Sequence, residues 1–159
     1  MLVVEGDDRT RECVRKEQIS MSAENEALVR RYVEEVYDQH KLEVIDEIFA
    51  SEFTLHDPDL PGGARGPEGI RRIAETFFVA FPDLQITLDD ELSSGEKVVT
   101  RWTTRATHQG ELMGIAPTGR RIEVTAVGIW RVAEGKIAEA WLVYDALGMM
   151  QQLGVASSS

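Results

Sequence analysis

The stretch RIEVTAVGIWRVAEGKIAEAWLVYDALGMMQQLG, residues 121–154, decides the fold. It reads as two strands joined by a tight turn at Glu134-Gly135, the second running straight into a short helix. Side chains alternate across a strand, so Ile122, Val124, Ala126, Gly128, Trp130 and Val132 share one face. In the second strand Ile137, Glu139, Trp141, Val143 and Asp145 do the same. A turn centred on Glu134-Gly135 predicts Val132 opposite Ile137, Trp130 opposite Glu139, Gly128 opposite Trp141 and Asp145 across from Val124. That register superposes the two apolar faces, and a glycine facing a tryptophan leaves room for the indole. An ionisable group at the end of such a face costs free energy unless it has a partner or a task. Asp145 is therefore the first candidate for chemistry.

Working outward, the 159 residues suffice for one domain with a proper core, and 43% hydrophobic with 28% charged residues is an ordinary globular balance. A net charge of −11 argues against nucleic acid or an anionic membrane as partner, since both need a basic surface. The single cysteine, Cys13, makes no intrachain disulfide, which fits a reducing cytoplasm. No apolar run reaches membrane-spanning length, and Leu2-Val3-Val4 followed by acids is too short for a signal peptide. A cytoplasmic location is expected.

Residues 1–21 are polar and without clear period, and read as a mobile leader or as a start placed too early, with Met21 the true beginning. The domain spans residues 22–154 and a tail follows at 155–159. Ser22 is a plausible helix N-cap, followed by acids where the helix dipole favours them. Leu28, Val29, Tyr32, Val33, Val36 and Tyr37 then recur at helical spacing, with His40 ending the stripe. Leu42, Ile45, Ile48 and Phe49 predict a second, short helix, and residues 52–56 a strand stopped by Asp57-Pro58. Residues 59–66 carry loop signals, and Pro67 starts a helix that buries Ile70, Ile73, Ala74, Phe77, Phe78 and Phe81 before Pro82 ends it. Two further strands follow at 85–92 and 97–107. In the second, Val98, Trp102 and Ala106 mark the apolar face, with Thr100, Thr104 and His108 on the same side. The three tryptophans, Trp102, Trp130 and Trp141, thus predict one aromatic-lined interior. Helices before an antiparallel meander give an α+β fold, a curved sheet wrapped around helices. The other side of the final hairpin (Val127, Ile129, Ala138, Ala140, Leu142, Tyr144) is also fairly apolar and is expected to meet a second subunit, making a homo-oligomer.

Residues 107–119, THQGELMGIAPTG, and 135–145, GKIAEAWLVYD, closed by Gln152-Leu153-Gly154, resemble signatures of the SnoaL-like polyketide cyclases. Phe81-Pro82-Asp83 and Leu55-His56-Asp57-Pro58 are similar to further positions of that family, and the resemblance runs from Glu24 to Gly154. It implies the NTF2-like cone, in which a bent sheet and helices enclose a pocket, and intramolecular aldol chemistry on a polyketide ester without metal or cofactor. It also implies that Asp145 is the acid and base. Desolvation in a tryptophan-lined pocket raises a carboxyl's pKa and makes its anion a stronger base. Where the family places a histidine on the neighbouring strand, this chain has Trp130 and Arg131. Fold alone does not fix activity, so an epoxide hydrolase or isomerase, or a protein that only binds an apolar ligand, are the alternatives. The hydrolase needs an Asp-Arg-Asp arrangement, and Arg101 falls on the wetter face of its strand.

Each candidate has a plainer reading beside the chemical one. Asp145 is placed to cap the helix that starts at Ala146, a role compatible with catalysis. His108 is either a loop residue or a catalytic partner at the mouth of the Trp102 face. His56 has the opposite parity to Phe53 and Leu55, so alternation turns it outward, and only the family position puts it at the substrate. Glu139 is a structural partner of an arginine or a second pocket acid. Tyr32, Tyr37, Phe77, Phe81, Trp102, Trp130 and Trp141 are core residues that in a cone can also touch substrate, here a small hydrophobic carbonyl compound. His40, His56 and His108 are far apart, with no H-E-x-x-H and no paired cysteines, so no metal site is expected. A serine hydrolase has no G-x-S-x-G to rest on.

Overall fold

The stretch 121–154 forms two strands and a helix at the expected bounds: β5 is Arg121–Ala133, β6 Lys136–Tyr144 and α4 Ala146–Leu153. Glu134 and Gly135 both have positive φ, 53° and 73°, the pair a type I′ hairpin turn demands. In the computed structural model, which describes residues 8–156, the preceding elements are α1 (Asp8–Arg31), α2 (Ile45–Ile48), β1 (Phe49–His56) and β2 (Ala64–Arg65). Then come α3 (Gly66–Ala80), β3 (Gln85–Ser94) and β4 (Lys97–Thr107). The six strands lie in the order β2-β1-β6-β5-β4-β3, antiparallel throughout except that β1 runs parallel to β6. The sheet curves over the helices without closing, an α+β cone of the NTF2-like kind, as the resemblance implied.

The hairpin register departs from expectation in one place, with large consequences. Val132 pairs with Ile137, but Arg131 pairs with Glu139, so Ala138 is an extra residue on β6. Such a bulge reverses the facing of everything beyond it. Trp130 therefore pairs with Ala140, Ile129 with Trp141 and Gly128 with Leu142. Ala140, Leu142 and Tyr144 turn inward, while Glu139, Trp141, Val143 and Asp145 turn outward. The shared face for three tryptophans is corrected to two, Trp102 and Trp130, whose rings lie 6.2 Å apart. Gly128 still makes room for an indole, but that of Trp102: a Cβ there would come within 3.0 Å of Trp102 and 2.8 Å of Leu142. The second apolar face is corrected too. Val127 and Ile129 are on the outside, joined by Val143, whereas Ala140, Leu142 and Tyr144 belong to the inside.

The first helix also differs. It does not begin at Ser22 but at Asp8, so the unstructured leader is corrected to helix over residues 8–21, and residues 1–7 lie outside the described residues. Nearly all of residues 8–24 are exposed; packing starts at Asn25 and Val29. From Tyr32 to Asp38 the helix is wound as a π-helix. A two-residue strand, β2, lies in the expected loop 59–66 and pairs with Thr54 and Leu55.

Candidate active site

The concave side of the sheet, together with α3 and the π-helical turn, encloses a cavity of about 420 Å³, within the range of small-molecule sites. Its walls are mostly apolar: Phe77 and Phe81 from α3 and its end, Trp102 from β4, Trp130 from β5, Leu142 from β6. Few polar groups reach it. Thr100 on β4 accepts the Trp130 Nε1–H at 2.8 Å, which spends that indole donor inside the wall. Tyr32 and Tyr37 both line the cavity, buried, with hydroxyl oxygens 3.1 Å apart.

Two carboxylates, Asp57 and Asp59, do line the cavity, but on a different part of the chain from the one expected. Asp57 follows the last residue of β1, is half-buried, and burial pushes its carboxyl above the usual range. The neighbouring Asp59 carboxylate pushes the same way, against the Asp59 N–H, which donates to Asp57 Oδ1 at 2.8 Å. The Tyr144 phenol, also on the cavity wall, is raised first by burial and then by Asp57 and Asp59, so the three groups sit at one end of the hollow.

Asp145 is exposed and lies outside the cavity lining. Its Oδ1 accepts the Gly148 N–H at 2.8 Å as the N-cap of α4. A Cβ at Gly148 would fall 2.1 Å from that carboxylate, so the cap depends on a glycine three residues on. Capping was foreseen; facing the pocket is corrected, and the bulge at Ala138 is the reason.

His108 is fully buried under the loop that follows β4, against the Phe81 ring, and is not on the cavity wall. Thr118 N–H donates to its Nδ1 at 3.2 Å, so in this arrangement Nδ1 carries no proton. Its main chain closes the same loop base, His108 N–H to Arg120 O and Gly119 N–H to His108 O. The histidine pins the loop that delivers Leu112 and Met113 to the cavity. His56 is outside, as alternation required, with Nε2 2.9 Å from Glu139 Oε1 and its ring stacked on Trp141 at 5.3 Å. Arg131 donates to the other Glu139 oxygen at 3.0 Å. Hydrogen bonds from His56 and then Arg131 hold the Glu139 carboxyl below the usual range. Glu139, His56 and Trp141 thus form an outer-face cluster instead of a substrate surface. Tyr32, Phe77, Phe81, Trp102 and Trp130 do come together around the cavity. Arg101 pairs with Asp89 and Asp90 on the outer face, so it makes no Asp-Arg-Asp site in the hollow. Among the described residues no three His, Cys, Asp or Glu side chains gather as metal ligands.

Residues 27–153 match the family model of the SnoaL-like polyketide cyclases. The chain belongs to that family. The aklanonic acid methyl ester cyclase DnrD of Streptomyces peucetius is 30% identical over 133 residues, 80% of this chain and 88% of that one. TsrD from Streptomyces laurentii, a solved structure, is 30% identical with a TM-score of 0.75, covering 84% of this chain and 97% of its own. A Jannaschia protein superposes with a TM-score of 0.79 at 20% identity over 86% of this chain and 96% of its own, a likeness of fold. A SnoaL-like cyclase therefore supports a cyclase-type role here. No helix among the described residues is long and apolar enough to cross a membrane.

Sequence reasoning gave Asp57 and Thr100 no role at the site. Asp57 was read as a strand stop and, within Leu55-His56-Asp57-Pro58, as a position similar to the family's, with no part in the chemistry.

Proposed function

We propose that this chain closes a ring in a hydrophobic, polyketide-like carbonyl compound by intramolecular aldol addition, with Asp57 as acid and base. One observation carries the reading: a mostly apolar hollow of about 420 Å³ has a half-buried carboxylate with a raised pKa on its wall. A proton between two carbonyls is acidic enough for such a base to remove. The Asp57 carboxylate takes that proton, leaving an enolate. The enolate carbon then bonds to the substrate's own ketone carbon, and the ketone π pair moves onto oxygen. The new alkoxide recovers the proton from Asp57. No atom enters or leaves, and every step is a proton transfer or a bond within one molecule. The apolar walls fold the substrate so that its two carbons meet, which supplies the proximity an aldol step needs. The exposed Asp145 has the role of a helix cap.

Aklanonic acid methyl ester, named in the DnrD relative, is the compound to try first. Turnover that falls by orders of magnitude in Asp57→Asn while ligand still binds supports the assignment. Undiminished turnover in that variant overturns it. The mostly apolar lining of the cavity favours a second reading, passive storage of an apolar ligand. Binding with no turnover across a panel of polyketide esters would establish that one.

A further inference from the structure

The π-helical turn does something an α-helix could not. At 3.6 residues per turn, side chains five apart diverge by about 140°, which would hold the rings of Tyr32 and Tyr37 on different faces. Winding with i→i+5 bonds brings such residues back over one another; Gln39 N–H donates to Glu34 O at 3.0 Å, a bond of that class. The two hydroxyls meet as a result, 3.1 Å apart, with the rings edge to face at 5.4 Å. Tyr32 is further held by Phe49 at 4.9 Å and by Trp130 at 5.6 Å.

Two hydroxyls carry two protons, and their mutual bond uses one. The second proton belongs to whichever tyrosine accepts, and no other described residue takes a hydrogen bond from either oxygen. Both tyrosines line the cavity. The geometry points to Tyr32 and Tyr37 as a paired hydrogen-bond donor for the oxygen of a bound carbonyl compound, at which negative charge gathers as an enolate or alkoxide forms. The donor is buried in a mostly apolar wall and fixed before the charge appears, an arrangement that stabilises oxyanions. Burial raises both phenols, so each keeps its proton across the neutral range. The partner tyrosine sharpens the donor, because a hydroxyl that accepts a bond gives its own proton more readily.

This inference rests on the cavity being the substrate site, and binding, not turnover, separates the two. Ring-substituted 2-naphthols with pKa values near neutral serve as stand-ins for an enolate, and 2-methylnaphthalene as the same shape without oxygen. The naphtholate absorbance band reports the ionised fraction of bound ligand in the full-length protein. The wild type is expected to bind naphtholate more tightly than 2-methylnaphthalene. The Tyr32→Phe/Tyr37→Phe double variant should lose that preference by roughly 10- to 100-fold, the worth of a hydrogen bond to a charged group, with 2-methylnaphthalene binding unchanged. A preserved naphtholate preference in the double variant overturns the donor pair while leaving the cavity reading intact. Failure of the wild type to bind either compound overturns both. Should the double variant lose 2-methylnaphthalene, the single variants decide. The pair stands if either one weakens naphtholate alone and falls if neither does.

Discussion

The β5–β6 hairpin has two faces built from the same alternating sequence, and they differ in kind. Inside, Val124, Trp130, Leu142 and Tyr144 line a mostly apolar hollow. Outside, Glu139 joins His56 and Arg131, Lys97 sits 5.4 Å over the Trp141 ring, and Val143 is 61% exposed. Composition does not separate the two faces, since a tryptophan stands on each. A single extra residue, Ala138, sorts them. The comparison teaches that a carboxylate's chemistry is set by which side of a sheet it emerges on. Asp145 emerges into water and caps a helix, while Asp57, from another strand end, meets the hollow.

The sharpest way to break this contrast is to neutralise one carboxylate at a time. Asp57→Asn should lower kcat/KM by roughly 10²- to 10⁴-fold, the usual worth of an acid–base group, as read by product chromatography. Because the ionised form is the base and burial raises its pKa, wild-type kcat/KM should climb with pH through a value above the ordinary carboxylate range. That limb should vanish in the variant. The stability sign is opposite: a raised carboxyl favours the folded state when protonated, a benefit lost as pH rises through its folded pKa.

Filling the inner face comes next. Gly128→Val drives side-chain atoms into Leu142 and the Trp102 and Trp130 indoles, and should cost about 1–3 kcal/mol in denaturant unfolding. It should also abolish 2-methylnaphthalene binding. A smaller effect is expected at the outer carboxylate: Asp145→Ala removes the α4 cap and should cost about 1 kcal/mol with turnover near wild type. A large loss of turnover there, at unchanged stability, would return Asp145 to the chemistry. Val127 and Ile129, 42% and 36% exposed, border Val143 on the outer face, where a second copy is expected. Sedimentation at micromolar concentration should give a dimer for the wild type and a monomer for Val143→Lys. Smallest of all, Glu139→Gln should leave turnover unchanged and lower the melting temperature slightly at neutral pH. Glu139 is held ionised by His56 and Arg131, so its contribution is present above the ordinary carboxylate pKa. It is lost as pH falls through its lower folded value, and the two proteins should melt alike in acid.

Much of this molecule was legible in the chain. The turn at Glu134-Gly135, the bounds of β4, β5, β6 and α4, the buried stripe of α3 and the outward parity of His56 all follow from local rules. Turn residues, caps and alternation act over a few positions and leave a local trace. The cavity wall of Tyr32, Phe77, Phe81, Trp102 and Trp130 was legible for the same reason. The ends of α1 were not: nothing at Ser22 stops a helix from running on from Asp8, and the switch to π winding at Tyr32 has no mark in a 3.6-residue stripe.

The sequence by itself determined the element order, the α+β class and an apolar interior beneath the last hairpin, because hydrophobic period and turn chemistry are properties of neighbouring residues. Only the tertiary structure decided which acid meets that interior. The bulge at Ala138 arises where β6 must satisfy β5 on one side and β1 on the other, with register shifts on both. A strand pinned between two partners takes the facing that suits both, and no pattern within the strand alone records that compromise.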